Sequence, residues 1–440
     1  MASTIPYQSI LAEVASDNNI EAYFVGGIVR DLVLGKVSDD IDIVTTDSPP
    51  EVLLTKLSDI IGGGTVNVVG QYGTAQFVSS NGIKIEGVRA RAESYDPTSR
   101  KPHVQPGTLQ EDIERRDFTI NCLLMPVQEP GKIVDLTGKG LHDLAQKIIR
   151  TPTSPNQTFT DDPLRMLRAV RFASVLDFAI ADDTMAAIKL MSPRLRIVSP
   201  ERIATELTKI IMSQHPSRGF QQLVDLQLLP IISPPLANAV NAQPSIWVHS
   251  LATLDMAPPE LVLRWASLLH ALTAPNQLTP IPKLHSHQIM TSLRYSDDLA
   301  TTVGKLIDIK ATLPRNSRHA SDAMVRSLIW EAQTLLPTVI ALSNACQAVS
   351  RMPLQWQELP VRQKQLDPYG QIAAHQLPLS GLEIMEILNL PPGPPIGILK
   401  SHLQQAVIEG AIAPDDADSA RAWLSTKFAT VSTHDNSIGL

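Results

Sequence analysis

Two glycines near the N-terminus precede an arginine in an arrangement that could bind phosphate. Gly26 and Gly27 follow the apolar run 23–25, and Arg30 comes three residues later. Glycines let a backbone approach a phosphate closely, and an arginine at the start of a helix can meet its charge. We interpret this segment as a binding site for a triphosphate.

Asp40 and Asp42 form an acidic pair shortly after that segment. On a strand, side chains at i and i+2 lie on one face, so the two carboxylates converge. Neighbouring carboxylates repel unless a cation neutralises them, and hard divalent ions take oxygen ligands, which favours Mg²⁺. A solvated acidic turn is the alternative for an isolated pair, but the glycines and Arg30 favour a metal site.

Two later segments are rich in arginine. In 114–121, Arg115 and Arg116 offer planar donor groups to phosphate or ribose oxygens, and Asn121 could hydrogen-bond a sugar. Taken alone, this segment could equally be an ordinary charged helix start.

The segment 161–172 predicts a helix with a basic stripe. Asp162 is a plausible N-cap and Pro163 suits the first helical position. Arg165, Arg168 and Arg171 follow at three-residue spacing, which places them along one side. A solvated basic face remains the alternative for this stretch alone.

The pattern of elements around these residues predicts an α+β fold. A helix is expected over 5–14, with strands at 23–25, 41–44, 65–69, 73–78 and 83–88. They predict a small, largely antiparallel sheet with helices around it. Pro152 and Pro155 mark a boundary, and from Asp162 onward the pattern is helical almost to the end.

Composition excludes several classes of protein. The 440 residues are 43% apolar and 18% charged, which is typical of a soluble globular chain. Two cysteines are too few for a disulfide framework or a four-ligand zinc site and fit a reducing cytoplasm. We expect no signal peptide and no membrane span, because prolines interrupt the longest uncharged stretch. A net charge of −7 argues against nonspecific coating of nucleic acid.

The motifs GGIVRD, DIDIVTTD, ERRDFTIN, DLTGKGLHDL and DDPLRMLRAVRFA occur in this order between residues 20 and about 175. Together they resemble class II tRNA nucleotidyltransferases and bacterial poly(A) polymerases, with a weaker resemblance continuing to the C-terminus. The resemblance implies a nucleotidyltransferase head (1–150), a helical neck with the base-reading helix (151–220), and a helical body and tail that bind tRNA (221–426). We expect 427–440 to be a disordered tail.

The resemblance also implies the activity, which is template-free addition of CMP and AMP, from CTP and ATP, to the 3′ end of tRNA. Asp40 and Asp42 would hold two Mg²⁺ ions, one activating the primer hydroxyl and one steadying the leaving group. Glu86 is the candidate third metal ligand, and a strand-edge charge is its alternative. Arg116 is expected to be a catalytic residue together with Asp40 and Asp42.

By resemblance, Gly27, Arg30 and Arg116 contact the nucleotide, and Asp117 and Asn121 lie near the sugar. The residues expected to bind nucleotide are Gly26, Gly27, Arg30, Arg116, Asp117, Asn121, Asp162, Arg165, Arg168 and Arg171.

Base choice follows from donor and acceptor patterns. Cytosine and adenine each place an amine beside an unprotonated ring nitrogen, whereas uracil and guanine place a carbonyl beside an N–H. An aspartate accepts from the amine and an arginine donates to the ring nitrogen, so Asp162 with Arg165 would admit C and A only. The segment 91–102 resembles the flexible loop that accompanies the switch from C to A addition. A passive surface loop is the alternative.

Other readings of the sequence predict different features. The segment 265–271 resembles the start of a metal-dependent phosphohydrolase domain, but Ala271 stands where that domain has Asp. We therefore expect His270, His285 and His287 to be packing or surface residues. A catalytically inactive RNA-binding protein would have lost the acidic pair.

The output of the enzyme stays open between CCA addition, A-only addition and poly(A) synthesis. An Arg-Arg-Phe-rich strand and a basic C-terminal tail, usual in the poly(A) polymerases, are both missing from the sequence. We expect tRNA to contact a basic surface that includes Arg194, Arg196 and Arg202. No protein partner follows from the sequence.

Overall fold

The computed structural model describes residues 5–38, 40–69, 73–95, 102–272, 286–313, 320–351 and 356–428, and the chain forms two compact units, 1–238 and 239–440. The strands are β1 (Ala22–Val25), β2 (Asp40–Thr45), β3 (Thr65–Val69), β4 (Thr74–Val78), β5 (Lys84–Arg89), β6 (Arg91–Tyr95), β7 (Pro102–Pro106), β8 (Leu124–Pro126), β9 (Ile148–Ile149) and β10 (Ala179–Ile180).

The helices of the first unit are α1 (Gln8–Asp17), α2 (Gly27–Val33), α3 (Pro50–Ile61), α4 (Leu109–Glu114), α5 (Gly140–Ala145), α6 (Pro155–Asp161), α7 (Leu164–Leu176), α8 (Asp182–Met191), α9 (Pro200–Ile211), α10 (Pro216–Asp225) and α11 (Leu229–Ile232). Helix α12 (Pro234–Ala242) includes the boundary between the units.

The helices of the second unit are α13 (Pro244–Met256), α14 (Leu261–Leu269), α15 (Ser286–Ser292), α16 (Asp297–Thr312), α17 (Asp322–Ala332), α18 (Leu336–Val349), α19 (Leu359–Leu366), α20 (Gly381–Leu388), α21 (Pro394–Glu409) and α22 (Ala417–Phe428). Short 3₁₀ turns occupy Thr119–Asn121, Ser192–Ile197 and Gln333–Leu335.

A six-stranded sheet in the order β3-β4-β5-β2-β1-β8 organises the first unit. Only the β2–β5 pair among these strands is parallel, so the expected largely antiparallel sheet is confirmed, and with it the α+β class. The parallel pairing sets Asp42 of β2 directly opposite Glu86 of β5. In-register partners point to the same face, so the sheet itself brings these carboxylates together.

Strand β2 alternates between a buried face and an open face. Ile41 and Ile43 are buried beneath helix α3, and an added Cβ on Gly87, the partner of Ile43, would lie only 2.7 Å from the Cβ of Pro50. The glycine therefore permits the helix to pack closely on the sheet. On the opposite face, burial increases along the strand from exposed Asp40 to fully buried Val44. The acidic pair thus lies where this face opens to solvent.

Beyond Ile180, the described part of the chain is helical. Among these described residues, no helix combines the length and the apolar content that crossing a membrane requires.

The segment 91–102, which was expected to be a loop, differs from that expectation in part. Strands β6 and β7 pair as an antiparallel ribbon, and 96–101 lie outside the described residues. The expected disordered tail also lies outside them from 429 onward. The division into head, neck, body and tail stays a prediction.

Candidate active site

Three carboxylates share the open face of the sheet. Asp40 and Asp42 lie two positions apart on β2, and Glu86 is the cross-strand partner of Asp42. Burial, followed by the charge of Asp40, raises the pKa of Asp42 to about 6, with a further contribution from Glu86 and an opposing one from Arg116. This repulsion is what a bound cation relieves, so the all-oxygen donor set fits a hard divalent ion.

Gly26 lies against this acidic edge. Its φ of +77° is in the left-handed region that favours glycine. A Cβ at this position would lie 3.4 Å from Asp42 Oδ2 and 3.7 Å from Arg116 Nη1. The glycine therefore keeps the backbone close to Asp42 and to Arg116, and its expected contact with phosphate stays a prediction.

A buried aspartate orients the two arginines that follow helix α4. Asp112 Oδ2 accepts from Arg116 Nε at 3.2 Å and Nη2 at 2.9 Å, and Asp112 Oδ1 accepts from Arg115 Nε at 3.0 Å. Burial raises the pKa of Asp112, but the two guanidinium charges outweigh it and the net shift is downward. The sequence analysis missed Asp112, although its spacing to both arginines was a usable signal.

Asp117 and Asn121 join two further arginines into one network. Asp117 Oδ2 accepts from Arg168 Nε at 2.8 Å, and Asp117 Oδ1 accepts from Asn121 Nδ2 at 3.0 Å. Asn121 Oδ1 in turn accepts from Arg30 Nη1 at 2.8 Å. Burial opposes ionisation of Asp117, but the charge of Arg168 prevails and lowers its pKa to about 2. These two residues therefore position arginines, and their expected proximity to a sugar stays a prediction.

An aromatic ring supports three arginines. The guanidinium carbon of Arg171 lies 4.1 Å from the ring centroid of Phe172, and those of Arg30 and Arg168 lie at 5.4 and 5.7 Å. Phe172 is itself packed edge-on against Phe118, with centroids 5.7 Å apart. Cation–π attraction offsets part of the repulsion among like charges, so the ring gathers them on one wall.

The side chains of Asp162 and Arg165, the predicted base-reading residues, form hydrogen bonds with different partners. Asp162 Oδ1 accepts from the backbone N–H of Leu164 at 3.1 Å, but α7 begins one residue later than expected, with Pro163 and not Asp162 as its N-cap. Asp162 Oδ2 accepts from Arg202 Nη2 at 2.8 Å. Arg165 is buried and its guanidinium donates to the backbone carbonyls of Thr158 and Arg115. Arg202 thus lines this cavity, and its expected contact with tRNA stays a prediction.

These elements enclose one cavity of about 480 Å³. Its lining comprises Gly26, Gly27, Arg30, Asp40, Asp42, Arg115, Arg116, Asp117, Asn121, Asp162, Arg165, Arg168, Arg171, Phe172, Arg202 and Lys209. Eight basic side chains face four aspartates there, so the cavity is cationic although the chain is acidic. The structure brings every predicted site residue into this lining except Glu86, which is exposed at its edge.

The histidines were expected to be packing or surface residues. His270 is buried, and His287 is exposed with its Nε2 2.9 Å from Asp297 Oδ1. His285 lies outside the described residues.

Comparison with known proteins places this site in a family. The family model described as the poly A polymerase head domain matches residues 22–150, and the model described as a probable RNA and SrmB-binding site of polymerase A matches 177–240. A CCA-adding enzyme of Limosilactobacillus reuteri is 30% identical over 414 residues, which are 93% of each chain. The chain belongs to the class II CCA-adding enzyme and poly(A) polymerase family. A CCA-adding enzyme of Levilactobacillus brevis is 29% identical over 402 residues, covering 89% of this chain and 90% of that one.

A solved member of the family has the same architecture. The crystal structure of the Bacillus stearothermophilus CCA-adding enzyme in complex with CTP superimposes with a TM-score of 0.77 at 26% identity, covering 97% of this chain and 99% of that chain. Enzymes of this family are nucleotidyltransferases that generally use divalent metal ions, in agreement with the acidic edge.

Proposed function

We propose that this protein adds CMP and AMP to the 3′ end of tRNA, using CTP and ATP and no nucleic-acid template. The observation that carries the proposal is a single cavity that combines a carboxylate edge, a wall of arginines and the Asp162–Arg165 region. The relatives that cover nearly the whole chain are CCA-adding enzymes, which supports the same assignment.

Mg²⁺ is the cation we assign to the acidic edge, with Asp40 and Asp42 as ligands and Glu86 as a further carboxylate. When bound, it would lower the pKa of the primer 3′-hydroxyl and stabilise charge on the phosphates. Arg116, whose Nη1 would lie 3.7 Å from a Cβ on Gly26, is placed to neutralise charge beside these carboxylates.

The arginine wall is proposed to hold the triphosphate. Arg30, Arg168 and Arg171 are kept in fixed orientations by hydrogen bonds, by ion pairs and by the ring of Phe172. Donors oriented before the substrate arrives need little reorganisation in the transition state, so their hydrogen bonds are effective for catalysis.

Asp162 and Arg165 are proposed to select the base. Asp162 Oδ2 now accepts from Arg202, and the amine of cytosine or adenine would share or replace that hydrogen bond. Arg165 has donors remaining beyond the two backbone carbonyls and can offer one to the ring nitrogen. A base with a carbonyl beside an N–H at this edge could pair with neither group, and its own polar atoms would stay unpaired, which a specific site rejects strongly.

Incubation of the purified protein with defined tRNA substrates tests the proposal. One tRNA ends before the first C of the tail and another ends in CC, and each is offered labelled CTP, ATP or both. We expect incorporation of C, C and A into the first and of a single A into the second. Addition of A to the second alone would indicate an A-adding enzyme, and long A tracts would indicate a poly(A) polymerase.

We also propose a cytoplasmic location. Both cysteines, Cys122 and Cys346, are buried free thiols, which fits a reducing compartment.

A further inference from the structure

The helical unit 239–440 contains a cluster of three metal-ligand side chains that nucleotide addition does not use. His249 lies on α13, His270 directly follows α14, and Cys346 lies on α18. One ligand atom from each lies within 4.8 Å of the other two. Around a tetrahedral zinc ion, nitrogen and sulfur ligands lie about 3.3–3.8 Å apart, so small side-chain rotations would close this set around an ion.

The orientation of His270 is that of a metal ligand. Its Nδ1 lies 2.9 Å from the backbone oxygen of Ser267, and its Nε2 lies 3.3 Å from Cys346 Sγ. The carbonyl can only accept, so Nδ1 carries the proton and Nε2 directs its lone pair toward the thiol. Metal-binding histidines are typically held by such a hydrogen bond at the other ring nitrogen.

The protonation states agree with this role. Burial, helped by the charge of Lys310, lowers the pKa of His270 to about 3 and also lowers that of His249. Both imidazoles are therefore neutral near pH 7. Burial raises the pKa of the Cys346 thiol. Binding of a metal would form the metal–sulfur bond and release the thiol proton to solvent.

We propose that His249, His270 and Cys346 form a binding site for a transition-metal ion, with Zn²⁺ as the expected occupant. Two imidazoles and one thiolate are ligands that Zn²⁺ prefers, and a water molecule would complete the tetrahedron. His249 is only partly buried, which provides the route of entry. The metal would replace the hydrogen bond that Lys310 makes to the thiol, and the partly exposed Lys310 side chain can turn to solvent.

The role assigned to this ion is structural. Within the described residues, the cluster includes no carboxylate, and Ala271 follows His270 in the chain. His249 lies within α13, His270 directly follows α14, and Cys346 lies within α18. These three helices pack together, so one ion would link them. Because the unfolded chain does not present this geometry, binding should stabilise the folded unit.

Cobalt titration of the full-length, chelator-treated protein tests the site. The Asp42→Asn variant serves as host, so that binding at the acidic edge contributes little. We expect Co²⁺ to bind with one equivalent and to give thiolate-to-cobalt charge-transfer absorption, which Zn²⁺ then abolishes by displacement. Cys346→Ser and His249→Gln, made separately, should each weaken binding at least about tenfold, and Cys346→Ser should remove the charge-transfer band.

Matched variants make the test specific. Cys122→Ser removes the other buried thiol and His287→Gln removes an exposed histidine, and both should leave the titration unchanged. Zn²⁺ should raise the thermal midpoint of the host and not that of His249→Gln, which is the variant least prone to misfold because His249 is the least buried of the three ligands. Absence of the charge-transfer band in the host, or its persistence in Cys346→Ser, would overturn the proposal.

Discussion

The cavity has two sides built from the same acidic residue type in opposite electrostatic conditions. On the sheet side, Asp42 faces Asp40 and Glu86, and its pKa is raised to about 6. On the helical side, Asp117 faces Arg168 and Asn121, and its pKa is lowered to about 2. Burial penalises ionisation on both sides, so the difference lies in which charges the chain places beside each carboxylate.

This contrast separates the side of the cavity whose charges are balanced by the protein itself from the side whose charges are not. The helical side supplies its own cations, and hydrogen bonds to Asp117 and Asp112 orient Arg168 and Arg116. The sheet side concentrates negative charge that a ligand has to neutralise. The predictions below test that distinction, beginning with the largest expected effect.

Asp42→Asn should reduce nucleotide addition at least about a thousandfold, because a metal ion supplies several kcal/mol of transition-state stabilisation. The measurement is single-turnover addition of C and A to tRNA with saturating Mg²⁺. Asp47→Asn, at an exposed position just after β2, is the matched control and should retain full activity. Turnover of Asp42→Asn above a few per cent of wild type would refute the metal assignment.

The same Asp42→Asn change should stabilise the metal-free protein. Ionising Asp42 in the folded state costs about 3 kcal/mol if its pKa rises from 3.8 to about 6. The folded state holds this proton more tightly than the unfolded state, so wild-type stability falls as pH rises from about 4 to 6. Denaturant unfolding in chelator should therefore show a gain of up to about 3 kcal/mol at pH 7.5, vanishing below about pH 4. A loss at pH 7.5 would contradict this account.

Asp117→Asn should have the opposite effect and lower the free energy of unfolding. A carboxyl with its pKa lowered to about 2 contributes stability that is present above about pH 4 and is lost as pH falls through 2. The variant should lose about 2 kcal/mol of unfolding free energy at pH 7, and less as the pH falls toward 2. Asp322→Asn, which removes the exposed partner of Arg362, should cost less than about 1 kcal/mol and provides the control.

Arg165→Ala should narrow base selectivity, because a good base contact is worth about 1–3 kcal/mol of discrimination. We expect kcat/KM for CTP and ATP to fall while UTP and GTP stay poor or improve slightly. Arg196→Ala, an exposed arginine outside the cavity lining, should leave the ratios unchanged. An equal loss for all four nucleotides would mean that Arg165 only fixes α7 through its carbonyl contacts.

The smallest effect is expected at the tRNA surface. With Arg202 assigned to the cavity, exposed Arg196 is the cleanest remaining position, since Arg194 donates to the carbonyl of Thr160 at 3.0 Å. Arg196→Gln should reduce the slope of log affinity against log salt by about 1, and Arg196→Lys should preserve it. An unchanged slope in the glutamine variant would place the tRNA elsewhere.

The sequence was sufficient where a residue's role follows from local spacing. The i, i+2 pair of Asp40 and Asp42 and the stripe beginning at Arg165 were recognised because strand and helix periodicity fix which side chains lie together. Contacts between distant segments could not be inferred in this way. Arg202 reaches Asp162 from another helix, and Cys346 reaches His270 across 76 positions, so only the packing of helices reveals either pair.

The hydrogen bonds that hold Arg165 determine how substitutions at neighbouring positions would affect it. Its guanidinium is held by main-chain oxygens of Thr158 and Arg115, and every amino acid supplies such an oxygen. Substitutions at those two positions can therefore accumulate without removing the acceptors, provided that the backbone keeps its path. Asp117 has less of this protection, because besides the backbone N–H of Phe118 its partners are the side chains of Arg168 and Asn121. The contact of Arg165 with residue 158 should consequently survive substitution of Thr158, whereas substitution of Arg168 or Asn121 removes a partner of Asp117.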